Sequence, residues 1–232
     1  MKRVLVVIPV FNNAEHLRET FASLLSQSYR DFAVAVVDDG STDGSGAIVE
    51  RIARENPQIP IALTTQANSG QRVAQITAIA STDSEMIFPL DADDQLTASA
   101  LAELVAALDR TPRAAFAYCD IQWFGTKNWL IRSEPWDVER IKAMNYVCGN
   151  SLIRREAYDA VGGYRPEEAG LADWGLWLSM AEAGMCGVHV PRPLFRYRQR
   201  AGSSSQSIPP ALRAHLTEML RRGRPGLFGG DA

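Results

Sequence analysis

The chain has 232 residues, 46% hydrophobic and 22% charged, enough apolar material to build a sizeable core in one large domain or two small ones. A net charge of -3 lacks the basic excess of a dedicated nucleic-acid binder, so no nucleic-acid partner is expected. Three cysteines (Cys119, Cys148 and Cys186) form neither an even set nor a CxxC pair, which argues against a disulfide framework and for a reducing compartment.

The N-terminal MKRVLVVIPVF has two basic residues before an apolar run, superficially like a signal peptide. That run is only about seven residues, Pro9 interrupts it and no small-residue cleavage site follows. Residues 4–8 therefore read as a first strand buried on both faces, and the protein as cytoplasmic. Asn12, with Glu15 three residues on, resembles a capping box before a helix striped by Leu17, Phe21, Leu24 and Leu25. Residues 32–37 read as a second strand, and DDGSTDGSG as a turn into a helix carrying Ile48, Val49 and Ile52. A third strand is expected over 59–65, a helix over 73–80 and a fourth strand over 86–90. Leu101, Leu104, Val105 and Leu108 stripe the helix after it. Strands alternating with helices imply right-handed crossovers and a mostly parallel sheet.

Beyond Thr111 the rhythm changes. Strands are expected over 115–121 and 147–153, separated by an irregular segment with Trp123, Trp129 and Trp136. A helix over 155–161, the loop Gly162-Gly163-Tyr164, a helix over 172–182 and short strands near Val188 and Phe195 follow. AGSSSQSIPP reads as a flexible turn before a last helix with Leu212, Leu216 and Leu220, and residues 223–232 as a frayed tail. No repeat or linker divides the chain.

Two acidic clusters end strands in this pattern: Asp38-Asp39 after the second, and Asp91, Asp93 and Asp94 after the fourth. Ligands of open parallel sheets bind outside the carboxyl ends of the strands. Carboxylates crowded there repel one another unless a cation joins them, and hard oxygen ligands suit Mg²⁺ or Mn²⁺. A solvated turn and helix cap is the competing reading of each cluster alone. Their common topological place favours a site.

The segments VVIPVFNNAEHL, LLSQSYRDFAVAVVDDGSTDGS, NSGQRVAQ and FPLDADDQL resemble the nucleotide-diphospho-sugar glycosyltransferases of family 2. The resemblance is strong over 1–110 and looser through GGYRPEEAGLADWGLWLSMAEAG and VPRPLFRYRQRAGSSS. It implies one α/β, Rossmann-like A-type glycosyltransferase domain over 1–232, with a mostly parallel central sheet flanked by helices. Residues 1–110 would form the nucleotide-sugar half and 111–222 the acceptor half. It also implies a sugar-nucleotide donor, most often a UDP-sugar, and inverting transfer to a saccharide or lipid-linked acceptor in surface polysaccharide synthesis. Pro9 and Phe11 would help to hold the nucleotide, Asp39 would accept from the base, and Asp38 would be structural or face the ribose. Asp91 and Asp93 match the DxD motif, which touches ribose and binds the metal, with Asp94 able to replace either.

The family's general base often comes from a Glu-Asp pair before a tryptophan. Here that place reads Ala172-Asp173-Trp174, leaving Asp173 as the candidate, with Glu167 and Glu168 in reserve. Arg72 is a candidate phosphate partner, where relatives often carry an Arg-Asn pair at Gln75-Ile76. Arg196 and Arg198 could lie near the diphosphate, continued by Ser203 to Ser205. The three tryptophans could stack on sugars or simply pack. The last helix, with Arg213, Arg221, Arg222 and Arg224, could touch an anionic membrane at its inner face. A binding domain without turnover, and a nucleotidyltransferase, are the alternative readings.

Overall fold

A computed structural model describes residues 2–200 and 209–229. The first half contains β1 (Val4–Val10), α1 (Leu17–Leu25), β2 (Phe32–Asp38), α2 (Ser45–Glu55), β3 (Ile61–Thr65) and α3 (Gln71–Ile79). It continues with β4 (Met86–Pro89), β5 (Gln95–Leu96) and α4 (Ala100–Arg110). The second half contains β6 (Ala114–Gly125), β7 (Trp129–Ile131), α5 (Val138–Ala143), β8 (Leu152–Arg154) and α6 (Arg155–Ala160). A 3-10 turn (Pro166–Leu171), α7 (Ala172–Glu182), β9 (Cys186–Gln199), α8 (Pro210–Arg222) and α9 (Pro225–Phe228) complete it.

The sheet order is β3-β2-β1-β4-β8-β6-β9-β5, with β7 paired to β6. Strands β3, β2, β1 and β4 are parallel, as the alternation of helix and strand predicts. Strand β8 then runs antiparallel to both β4 and β6. The result is a mixed sheet whose first half is parallel.

The unbroken apolar run of β1 has a simple cause. Val4, Val6, Ile8 and Val10 join the core with Leu17, Phe21 and Leu104, while Leu5 and Val7 join a second core with Ala74, Trp177 and Leu220. Helices cover both faces, so alternate residues are buried in opposite directions. Asp38 and Asp39 end β2, and 91–94 follow β4, on either side of β1. The chain changes direction at this point in the sheet, which opens a crevice there.

Several local expectations differ. Asn12 does not cap α1, which starts five residues later behind His16 without a side-chain cap. Instead Asn12 adopts φ 48°, and its carboxamide oxygen accepts from Thr42 N at 2.8 Å. Asn13 N donates to Ser45 Oγ and Ala14 N to Asp43 Oδ2, so the loops after β1 and β2 are stitched together. The strand expected over 147–153 shrinks to β8, because the chain before it bends to line a cleft. There Asn150 Nδ2 donates to Pro89 O at 3.1 Å. The expected frayed tail is packed through α9: Arg224 is buried and α9 contacts α7 and α8. Residues 201–208, including Ser203 to Ser205 and most of the predicted flexible turn, lie outside the described residues.

Candidate active site

Two adjoining clefts open at the carboxyl ends of the parallel strands. The first, of about 380 Å³, is lined by Pro9, Phe11, Asp39, Asp91, Asp93 and Arg200 among others. The second, of about 660 Å³, includes Arg72, Gln75, Asp91, Trp123, Asn150 and Asp173. Gly70, Gln71, Asp91 and Tyr197 belong to both, so the clefts share a wall. Both volumes fall in the range of small-ligand sites.

Asp39 stands at the base of the first cleft, 2% exposed. Its Oδ1 accepts from Gln66 Nε2 at 2.8 Å and Ser69 N at 2.9 Å, and its Oδ2 from Gly70 N at 2.8 Å. Oδ2 retains a lone pair, so Asp39 can fix the 66–70 loop and still accept from a ligand. Gly40 follows at φ +82°, and a Cβ there would crowd Asn68 N at 3.1 Å; glycine lets the two loops meet. Asp38 is buried, accepts from Ser41 N at 2.9 Å and does not line the cleft, which makes it a turn-former.

Asp91 accepts from Gln71 Nε2 at 2.7 Å. Burial, then the adjacent Asp93 carboxylate, push its carboxyl up to about 6, against the pull of Arg72 and the Gln71 hydrogen bond. Asp93 Oδ2 lies 3.1 Å from Arg200 Nη2. Asp94 is fully buried and lines neither cleft; its Oδ1 accepts from Arg198 N at 2.7 Å and its Oδ2 has no partner. Burial, Asp91 and Asp93 hold it well above the usual carboxylate range. Of the three, only Asp91 and Asp93 face the ligand space. Among the described residues no group of three His, Cys, Asp or Glu side chains could close a metal cage unaided. Two carboxylates in mutual repulsion, beside a cleft able to admit phosphates, do fit Mg²⁺ or Mn²⁺, which complete their shells with phosphate and water.

Asp173 opens α7 and faces the second cleft. Its Oδ2 accepts from Asn145 Nδ2 at 3.0 Å. Ala172 is fully buried in the second core, so the position that often carries an acid in relatives points inward here. Glu168 is no reserve base. It is 4% exposed and ion-paired with Arg224 at 2.7 Å, away from both clefts. Glu167 is exposed and lines neither cleft.

Arg72 lines the second cleft rather than the first, donates to Gln75 Oε1 and lies 4.2 Å over the Tyr164 ring. Arg196 and Arg198 pack against Phe124, and Arg198 also binds Asp93 O and Glu19. Arg200, just past β9, reaches the Asp93 carboxylate. Gln71, Asn145 and Arg200 were not foreseen. Strand alternation does not extend to a residue beyond the last strand position, and nothing in the sequence pairs Asn145 with Asp173. Trp136 packs edge-on against Phe116, whereas Trp123 lines the second cleft. In α8, Leu216 and Leu220 are buried while Arg213, Arg221 and Arg222 stay exposed, Arg222 paired with Glu218; Arg224, beyond the helix, is buried. Among the described residues no helix is long and apolar enough to cross a membrane.

The glycosyl transferase family 2 model matches residues 5–162, more than half of the chain. An O-antigen biosynthesis protein, RfbC, of Myxococcus xanthus is 30% identical over 206 residues, 86% of this chain but 16% of that protein. An N-acetylglucosaminyltransferase of Azorhizobium caulinodans is 34% identical over 247 residues, 96% of this chain and 59% of the relative. The chain thus spans less than two thirds of the length of either relative. Among solved structures, S. aureus TarS 1-349 in complex with UDP-GlcNAc aligns with TM-score 0.78 at 18% identity, covering 96% of this chain and 66% of that one. Mannosyltransferase PcManGT from Pyrobaculum calidifontis, in complex with GDP-Man and Mn²⁺, aligns with TM-score 0.72 at 21% identity, covering 98% and 72%. The fold is that of the A-type transferases, and the chain is a glycosyltransferase domain belonging to family 2.

Proposed function

We propose that this domain transfers a sugar, with inversion, from a UDP-sugar in the first cleft to a hydroxyl of a saccharide or lipid-linked saccharide in the second. One observation carries the reading. Asp91 stands on the wall common to both clefts, with Asp39 and Asp93 on one side and Asp173 on the other. Donor and acceptor would therefore meet at one carboxylate.

In this reading Asp39 accepts from the base and the exposed Phe11 ring forms the outer wall of the nucleotide site. Asp91 and Asp93 would hold Mn²⁺ or Mg²⁺, with Arg200 released from Asp93. The bound ion would offset charge on the departing diphosphate. Asp173 takes the acceptor proton as the new bond forms to the anomeric carbon and the bond to the diphosphate breaks. Asn145 keeps that carboxylate turned to the cleft. The relatives' names support a role in O-antigen or related polysaccharide synthesis and an N-acetylglucosamine donor.

The test is release of UDP from UDP-N-acetylglucosamine and other UDP-sugars, with Mn²⁺ and a saccharide acceptor panel. Turnover abolished by Asp173→Asn supports the reading. Stabilisation by UDP and Mn²⁺ without turnover on any acceptor supports the binding-only alternative.

A further inference from the structure

Three aromatic residues occupy matching positions on neighbouring strands. Trp123 of β6 pairs with Tyr197 of β9 on one side and with Trp129 of β7 on the other. Residues directly opposite one another across a ladder project from the same face. That face is fixed independently, because Trp123 and Tyr197 both line the second cleft. Phe124 alternates to the reverse side, beneath Arg196 and Arg198.

The row starts at the wall where the two clefts join, since Tyr197 lines both. It passes through Trp123, whose ring centroid is 6.4 Å from that of Tyr197. It ends outside the cleft at Trp129, 65% exposed on a three-residue edge strand. Trp129 packs in neither buried cluster, and its pairing with the cleft-lining Trp123 extends the aromatic wall of the cleft outward instead of leaving a lone surface indole. Two strand spacings span about 10 Å, the reach of roughly two linked sugar rings. One indole and a short strand are too little for a stable protein interface, which takes about 800 Å² per partner.

Building on the proposed function, we propose that the Tyr197–Trp123–Trp129 row is an acceptor subsite for an oligosaccharide. Apolar faces of successive sugar rings rest on Trp123 and Trp129, and the reactive terminus lies beside Asp173. The acceptor is then a chain of sugars rather than a single sugar.

The full chain and Trp129→Ala, in UDP and Mn²⁺, are titrated with N-acetylglucosamine and its β-linked dimer and tetramer. The same titration is run with glucose oligomers of matched length. Wild-type affinity is expected to rise with length in one series, and Trp129→Ala to weaken tetramer binding by about fivefold to tenfold while blunting that rise. Affinity independent of length, an equal loss at every length, or no oligomer binding by protein that binds UDP would overturn the subsite. So would self-association, or binding to anionic vesicles, that vanishes in Trp129→Ala. Failure to bind UDP at all would strike the underlying donor reading instead.

Discussion

Arg224→Met tests how the acceptor half is held together. Arg224 is 1% exposed, and its guanidinium donates to Glu168 Oε1 at 2.7 Å, Ser179 Oγ at 2.9 Å and Leu220 O at 3.1 Å. Methionine fills much of the volume and supplies no donor. Glu168, 4% exposed with Oε2 already unpartnered, would keep a buried charge with only the part-exposed Arg165, 4.0 Å away, to offset it. Removing one partner of such a pair costs about 3–5 kcal/mol. For a domain of this size that is a fall in Tm of about 6–20 °C. Adding Glu168→Leu should recover most of the loss, because the desolvated charge has gone. The penalty should also shrink on acidification. Burial already raises the Glu168 carboxyl, and losing Arg224 raises it further, so the single variant's deficit is full above that raised value and fades as Glu168 takes up a proton. The assay is reversible denaturant unfolding of wild type, both single variants and the double, repeated across pH. A cost for Arg224→Met below about 1 kcal/mol, or one unaffected by Glu168→Leu, would refute the coupling.

Gly175→Ala should lower Tm although alanine is the better helix former. Its Cβ would displace the Glu168 carboxylate from Arg224, and a Tm equal to or above wild type in a thermal scan would contradict this. Asp93→Ala should abolish stabilisation by UDP with Mn²⁺, read as the ligand-induced Tm shift, while the apo Tm changes little because Asp93 is on the cleft surface. Asp173→Asn should reduce UDP release by about 10²-fold or more and leave that shift intact; unchanged release removes Asp173 from the base role. Asp39→Asn should weaken UDP binding and destabilise the 66–70 loop, seen as faster amide exchange at Ser69 and Gly70, whose N–H groups bond to this carboxylate.

Sequence legibility followed the range of the forces involved. Continuous apolar runs marked β1, β2 and β4, and the leucine stripe marked α4, because burial on one or two faces writes a local period. The acidic turns at Asp38-Asp39 and Asp91 to Asp94 were legible as strand ends near a crevice, since strand order follows from crossover rules. Side-chain direction at those turns was not legible. Asp91 and Asp93 face the cleft while Asp94 turns inward to Arg198 N, and consecutive turn residues have no period to exploit. Glu168 could not be told from a catalytic acid, because its partner Arg224 lies 56 residues away in a supposedly frayed tail. The sequence by itself settled the parallel half-sheet and the family, and placed two acidic turns at the carboxyl ends of its strands. Tertiary structure alone decided which acids face a cleft, which arginine reaches the Asp93 carboxylate and which tryptophans line a cleft or stand exposed beside it, because packing between distant segments sets those orientations.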